Sequence, residues 1–261
     1  MKNGIGGVDF HIESLESMKR YPKELWYIGN LSLLQRPKVS IVGTRRPSAY
    51  TKKLTMELAS ALSARGVVVV SGAAMGVDAL AHKGAGHSNT IAVVANGLDI
   101  RYPSVNGELI AGIERDGLVM SMFGEGKRAA SWSFVVRNEM VVALGEILVI
   151  AEADEDSGSM SSAKYALQME KEIFVFPQRL YESSGTNGLL ERGEASAIYD
   201  IERFVSRFGS PVSADTVLDE FFFFCQKNPT IDEAVTIFGE RVYEEELEGR
   251  IVVENGRIRP A

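Results

Sequence analysis

A chain of 261 residues, 45% hydrophobic and 24% charged, is long enough to bury one full core and a smaller second one. Its one cysteine, Cys225, excludes an internal disulfide and any multi-cysteine metal cluster, and the dispersed His11, His82 and His87 lack metal-ligand spacing. A net charge of −7 opposes nonspecific attraction to nucleic acid, and the absence of a signal-peptide pattern or an apolar run of membrane length leads us to expect a soluble, cytoplasmic protein.

Residues 1–36 read as an irregular or helical lead-in, with Tyr21–Pro22 and Trp26–Tyr27 as docking anchors. From Val39 strands and helices alternate. Short continuous apolar runs predict strands at 39–42, 67–71, 90–95, 117–121, 147–151 and 173–176, as in a parallel sheet covered on both faces. Helical spacing predicts helices over 48–64, 76–85, 104–115, 133–144, 159–170 and 186–192. The first has Ser48 as N-cap, Gly66 just past its end, and Leu54, Leu58, Ala61 and Leu62 on one face. Repeated βα units imply right-handed crossovers and an α/β, doubly wound, mostly parallel sheet over residues 37–208.

The pattern changes after Phe208. Gly209–Ser213 reads as a linker, 214–226 and 230–239 as short helices, and 241–259 as a third helix and a hairpin through Asn255–Gly256. The layout of residues 214–261 resembles a small winged-helix module. Residues 210–261 hold eleven acids against five bases, so the rest of the chain is close to neutral and can carry a local basic patch.

Three strand–turn–helix junctions carry the chemistry. In VSIVGTRRPS (39–48) a glycine turn leads to Arg45, Arg46 and a capping serine, the layout of a phosphate site. Lys52 and Lys53 fall in the first turns of the next helix, where cations are disfavoured unless an anion is near. The plain alternative is a tight turn with solvated arginines. In SGAAMGVD (71–78) small residues permit close approach, without the dinucleotide fingerprint or a Walker lysine. Asp78 and His82, four apart on one helix face, are an acid–base pair or, more commonly for such spacing, a structural hydrogen bond. In SGSMSS (157–162) hydroxyls and amides gather at a helix start, either to hold an anion or as simple capping by Ser159; the acids at 152 and 154–156 read as solvated. Lys127, Arg128 and Arg137 form a second basic group, and Arg137, in an apolar helix, needs either an anion or a carboxylate such as Glu139. Phe221–Phe224 reads as the core of a small helical module, since four consecutive aromatics cannot all face one way.

Taken together, YPKELWYIGNLSLLQRPKVSIVGTRRPS, VVVVSGAAMGVDALAH, TIAVVANGLDIRYPSVN, FVVRN, AEADEDSGSMSSA and GTNGLLERGEA, over about residues 21–208, resemble the DprA/Smf family of DNA-processing proteins. The resemblance implies an extended Rossmann-like fold that binds single-stranded DNA, needs no cofactor, metal or catalytic residue, and dimerises. It implies protection of incoming DNA in natural transformation and loading of the RecA recombinase, with displacement of single-strand-binding protein. It places Gly43, Thr44 and Arg45 at a DNA phosphate with Arg46 close by, and matches Ser71, Gly72, Ser157, Gly158 and Ser159 to the other family loops. Lys52, Lys127, Arg128 and Arg137 complete the candidate DNA-binding set. The chain departs from the family's pattern at Glu139 (usually arginine), at Ser121–Met122–Phe123–Gly124 (usually SE-aromatic-P) and at Gln178 (usually glycine).

Two rival readings remain at this point. A nucleotide-binding enzyme related to phosphoribohydrolases shares the fold type, but its PGGxGTxxE motif is missing and SGSMSSAK stands in that place. A protein adaptor would make the basic loop incidental. The acidic C-terminal segment repels phosphate, so a protein contact suits it better than DNA.

Overall fold

The computed structural model describes residues 4–212 and 219–260. A nine-stranded sheet forms its centre, in spatial order β1-β2-β6-β5-β4-β3-β7-β8-β9. Its strands are β1 (Gly6–Gly7), β2 (Trp26–Gly29), β3 (Lys38–Val42), β4 (Val68–Ser71), β5 (Thr90–Val93), β6 (Leu118–Ser121), β7 (Ile147–Ile150), β8 (Ile173–Val175) and β9 (Ser196–Ala197). Strands β3 to β9 pair in parallel, whereas β1 and β2 run antiparallel to their neighbours. The chain builds outward from β3 to β6, then returns across β3 to place β7 on its other side.

The expected parallel strands and helices are present, with ends moved by a few residues. The helices are α1 (Ala49–Ser63), α2 (Val77–Ala85), α3 (Gly107–Asp116), α4 (Ser131–Leu144), α5 (Ser159–Gln168), α6 (Ser184–Glu191) and α7 (Ile201–Val205). Continuous apolar strands result because both faces of the sheet are covered. Val39, Ile41, Val69, Ile147 and Val149 enter one core with Leu58 and Leu62 of α1. The alternate residues Val42, Val68, Val70, Leu148 and Ile150 enter the opposite core with Met140 of α4 and Ala163 of α5. Ser48 caps α1 as expected, accepting the Thr51 N–H at 3.2 Å.

The lead-in expected over 1–36 is corrected. Trp26 and Tyr27 lie within β2, which pairs with β6 and extends the sheet. The alternation that marks a half-buried strand is hard to see in the four residues WYIG, which explains the misreading. Tyr21 does act as an anchor: its hydroxyl accepts the Ile12 N–H at 3.0 Å and its ring stacks on His11.

Beyond Val212 the described residues form α8 (Glu220–Gln226), α9 (Ile231–Phe238), α10 (Arg241–Leu247) and the hairpin β10 (Ile251–Glu254) with β11 (Arg257–Pro260). Asn255 and Gly256, both at positive φ, make its turn. Phe221, Cys225, Ala234, Val242, Ile251 and Ile258 make a separate small core. Burial pushes the Cys225 thiol up to about 12, so it is inert. Ser213 of the expected linker and the start of the helix expected over 214–226 lie outside the described residues. Among the described residues no helix is long and apolar enough to cross a membrane, and no three His, Cys, Asp or Glu side chains are grouped to hold a metal.

His82 is fully buried and does not pair with Asp78. The Thr90 hydroxyl donates to Val69 O at 2.6 Å, so it must accept from His82 Nδ1–H at 2.7 Å. Nε2 is then a bare, buried nitrogen with no partner. Burial, and next the Arg137 charge, lower its pKa from 6.5 to about 3. Between those values the unfolded chain binds a proton that the folded chain refuses, so stability falls as pH drops below 6.5. The expected loss between pH 7 and pH 5 is about 2 kcal/mol, a loss that His82→Asn should remove. Urea unfolding of both proteins at the two pH values measures it.

Candidate functional site

In an open α/β sheet the strand order reverses where two neighbouring strands send their chains to opposite sides, and the loops there part to leave a crevice. Here the reversal falls between β3 and β7. The loop after β3 begins at Gly43, and the loop after β7 leads to the start of α5. Between them lies a cleft of about 600 Å³. Gly43, Thr44, Arg45, Arg46, Arg137, Ser157, Gly158 and Ser159 of the expected set line it, joined by Asp78, Ser131, Phe134, Asn138 and Ser162.

The first loop is rigid. A Cβ on Gly43 would press on Val77 and on Glu152 O, so only glycine fits. Thr44 N–H donates to Glu152 O at 2.8 Å and Val77 N–H to Thr44 O at 3.1 Å. Arg46 N–H donates to Thr44 Oγ1, and Ser48 N–H to Glu152 Oε2. Three loop amides are therefore spent internally, and the loop offers its arginine side chains instead. Arg45 and Arg46 are exposed and make no ion pair with a described carboxylate. The Arg45 guanidinium lies over the Phe134 ring at 5.4 Å.

Glu152, expected to be solvated, holds the start of α1 with its carboxylate. Lys53 has an anion of its own, pairing with Glu57 at 3.6 Å. The lysine positions thus carry less information about a ligand than their sequence placement implies. Lys52 is exposed and does not line the cleft.

The second loop is scaffold. Ser71 is fully buried and its hydroxyl donates to Ile41 O at 2.6 Å. Gly72 offers its carbonyl to Arg137 Nη1, and a side chain there would collide with Arg137 and Asp78. Asp78 accepts the Ala74 N–H, and Asn106 Nδ2 donates to Ala73 O and Ala74 O at 3.0 Å. Ser71 and Gly72 therefore shape the cleft and present no polar side-chain group to it.

Arg137 is 4% exposed. It donates to Gly72 O and, at 2.8 Å, to Val93 O, and its Nε reaches Asn138 Oδ1. It is thus a buried floor where an exposed anion ligand was one of the two expectations. Its neighbouring carboxylate is Asp78, while Glu139 accepts the Lys19 N–H at 2.7 Å. Burial raises the Asp78 pKa, and the Arg137 charge opposes that rise.

At the third loop the capping residue is Gly158, with Ser159 the first residue of α5. Gly158 and Ser159 N–H have no partner among the described residues. The hydroxyls of Ser157 and Ser162 are buried and unpartnered as well, Ser162 at 1% exposure. A helix N-terminus with open donors is a ready anion site. The 131, 134, 135, 138 spacing that puts Ser131, Phe134, Val135 and Asn138 on one face of α4, toward the cleft, was available in the sequence as a helical period. Ser162 is one turn beyond the matched loop, but it closes the SGSMSS run whose hydroxyls the sequence already gathered at the helix start.

Lys127 and Arg128 line no part of the cleft; they stand on the neighbouring loop. That loop is tethered: Gly97 N–H donates to Lys127 O at 2.8 Å, and Asp99 accepts the Gly126 N–H at 3.0 Å.

Residues 9–209 match the family described as DNA recombination-mediator protein A. The chain belongs to that family, the DprA/Smf proteins. DNA processing protein DprA of Streptococcus pneumoniae is 35% identical over 176 residues, 66% of this chain and 62% of that protein. Protein Smf of Synechocystis is 34% identical over 197 residues, 72% of this chain and 49% of that one. The chain thus spans about half to two thirds of these relatives. A solved structure of DNA processing protein A from Helicobacter pylori, described for its single-stranded DNA binding mode, matches with TM-score 0.76 at 41% identity, over 79% of this chain and 97% of that one. The X-ray structure of the Streptococcus pneumoniae protein matches with TM-score 0.72 at 32% identity, over 78% of this chain and 74% of that one. The sheet described above is the Rossmann-like fold of these DprA structures.

The departures from the usual DprA/Smf pattern have local uses here. Glu139 ties the N-terminal segment to α4. Gln178 Nε2 bridges Thr51 Oγ1 at 3.2 Å and Ala151 O at 3.1 Å. Removing the buried cation should show in stability before it shows in binding. Arg137→Met leaves Gly72 O and Val93 O without their donor and the buried Asp78 without its neighbouring positive charge, and is expected to cost about 3–5 kcal/mol, read by urea unfolding.

Proposed function

We propose that this cleft binds the backbone of single-stranded DNA, and that the chain acts as a nonenzymatic DNA-processing protein. The observation that carries the reading is the Arg45 guanidinium stacked on Phe134 at the mouth of a cleft that also holds the open N-terminus of α5. A guanidinium suits a phosphate and an aromatic face suits an unstacked base, so the pair meets both parts of a single-stranded nucleotide. The Helicobacter pylori relative, described for binding single-stranded DNA, supports the same ligand. Backbone contacts read little sequence, so base preference is slight. The carboxylate that lines the cleft, Asp78, is engaged with Ala74 N–H and lies beside Arg137, which favours binding over acid–base chemistry.

The recombination-mediator description of the family supports the wider role: holding incoming DNA in the cytoplasm during transformation and passing it to RecA recombinase, with single-strand-binding protein displaced. We assign the contacts to Gly158, Ser159, Ser157, Arg45 and Arg46, with Lys127 and Arg128 on the path leaving the cleft. Homodimerisation and a winged-helix-like, protein-facing role for the acidic residues 219–260 belong to the same proposal.

Arg45→Ala is expected to weaken oligothymidylate binding about 10–100-fold and to reduce the slope of log affinity against log salt by about 0.7. Phe134→Ala should cost about 1–3 kcal/mol with the salt slope unchanged. Fluorescence anisotropy at two salt concentrations, with duplex as competitor, reads both. Equal binding by Arg45→Ala and wild type would sink the assignment. A chain ending at Val212 should keep wild-type DNA affinity, because its acidic segment repels phosphate. Loss of affinity on that truncation would contradict a protein-facing role.

A further inference from the structure

We propose that Trp132 forms a second base-stacking subsite beside the cleft, taking a nucleobase of the same single strand after it leaves Phe134. The inference rests on the single-stranded DNA reading of the cleft. Ser131 and Phe134 turn into the cleft, and Trp132 stands about 100° around α4 from Ser131, on the adjoining face. Trp132 is 53% exposed, next to Val135 and Val136, themselves 46% and 38% exposed. Val135 also lines the cleft, so the apolar stripe runs from the cleft wall to the indole without a break.

The ring is held in place before any ligand arrives. Lys127 Nζ lies 4.6 Å from its centroid, and Phe123 meets it edge to face at 5.7 Å. The backbone at Lys127 is tethered to residues 97–99, which keeps its side chain within reach of the ring. A large aromatic that is fixed yet half open loses little freedom on binding. The cation lies over one face of the ring, so a base stacks on the opposite face and brings its phosphate near that charge. The class of ligand is therefore an unpaired base with its 5′ or 3′ phosphate. A paired base cannot expose its face, so duplex is refused. Because every base has a face to stack, the subsite extends the bound length of strand without selecting sequence.

Trp26 and Trp132 are the two tryptophans of the chain, and Trp26 belongs to β2. Tryptophan fluorescence of Trp26→Phe therefore reports Trp132 alone in the intact protein. Titration with a fifteen-residue oligothymidylate should quench it in step with binding. Trp132→Ala should bind the same oligonucleotide about tenfold more weakly or worse, Trp132→Phe should recover most of the loss, and Trp132→Leu should not. If Arg45→Ala weakens binding but Trp132→Ala binds as wild type and the indole signal stays flat, the second subsite is overturned and the cleft reading stands. If the wild type does not bind, or Arg45→Ala binds equally well, the cleft reading fails and the subsite with it.

Discussion

A full positive charge in a place with almost no water must find oxygen atoms, and Arg137 meets that demand by joining three parts of the fold. It rises from α4, takes carbonyls at the ends of β4 and β5, and lies beside the carboxylate of α2. The cleft exists above this knot. Gly72 has to be glycine because guanidinium and carboxylate fill the space a side chain would use. The 72–76 loop is held from below by Asp78 and from the side by Asn106. Ordinary packing would let such a loop move; a buried charge network makes movement expensive, because any opening strands an ion.

That rigidity divides the basic residues into two kinds. Arg137 is spent on architecture. Arg45 and Arg46 are left over, on a loop whose own amides are already bonded. On the DNA-binding proposal, recognition falls to charged side chains on one wall and to open backbone donors at the start of α5 on the other. Hydroxyls without partners, at Ser157 and Ser162, lie on that second wall.

Strands β3 to β8 of the parallel sheet were legible in the sequence because they are buried on both faces and read as short, mostly apolar runs; the two residues of β9, neither of them buried, were not. Helices followed from spacing and caps such as Ser48. Strand β2, between β1 and β6, was not legible, because the four residues WYIG give too little pattern. The cleft's glycine and arginines were legible as a motif, whereas the separation of ligand-facing from structural groups was not. Ser71 and Arg137 look like binding residues in a linear text, and only their burial against Ile41 O, Gly72 O and Val93 O shows otherwise. Lys52 and Lys53 pointed to an outside anion, while the carboxylate at the start of α1 is Glu152, a hundred residues away in sequence, and Lys53 pairs with Glu57.

Glu152 has a wider effect. The loops on the two walls lead into α1 and α5, and both helix starts would ordinarily attract a negative group. The carboxylate occupies the first start, and the second remains open. The two walls are therefore chemically unlike: one cationic, with its helix end stoppered, the other dipolar, with its helix end open. A polynucleotide has a direction, since its sugar separates a 5′ from a 3′ oxygen. Laid between unlike walls, its two orientations are not equivalent, so the closed end of α1 gives the groove a polarity.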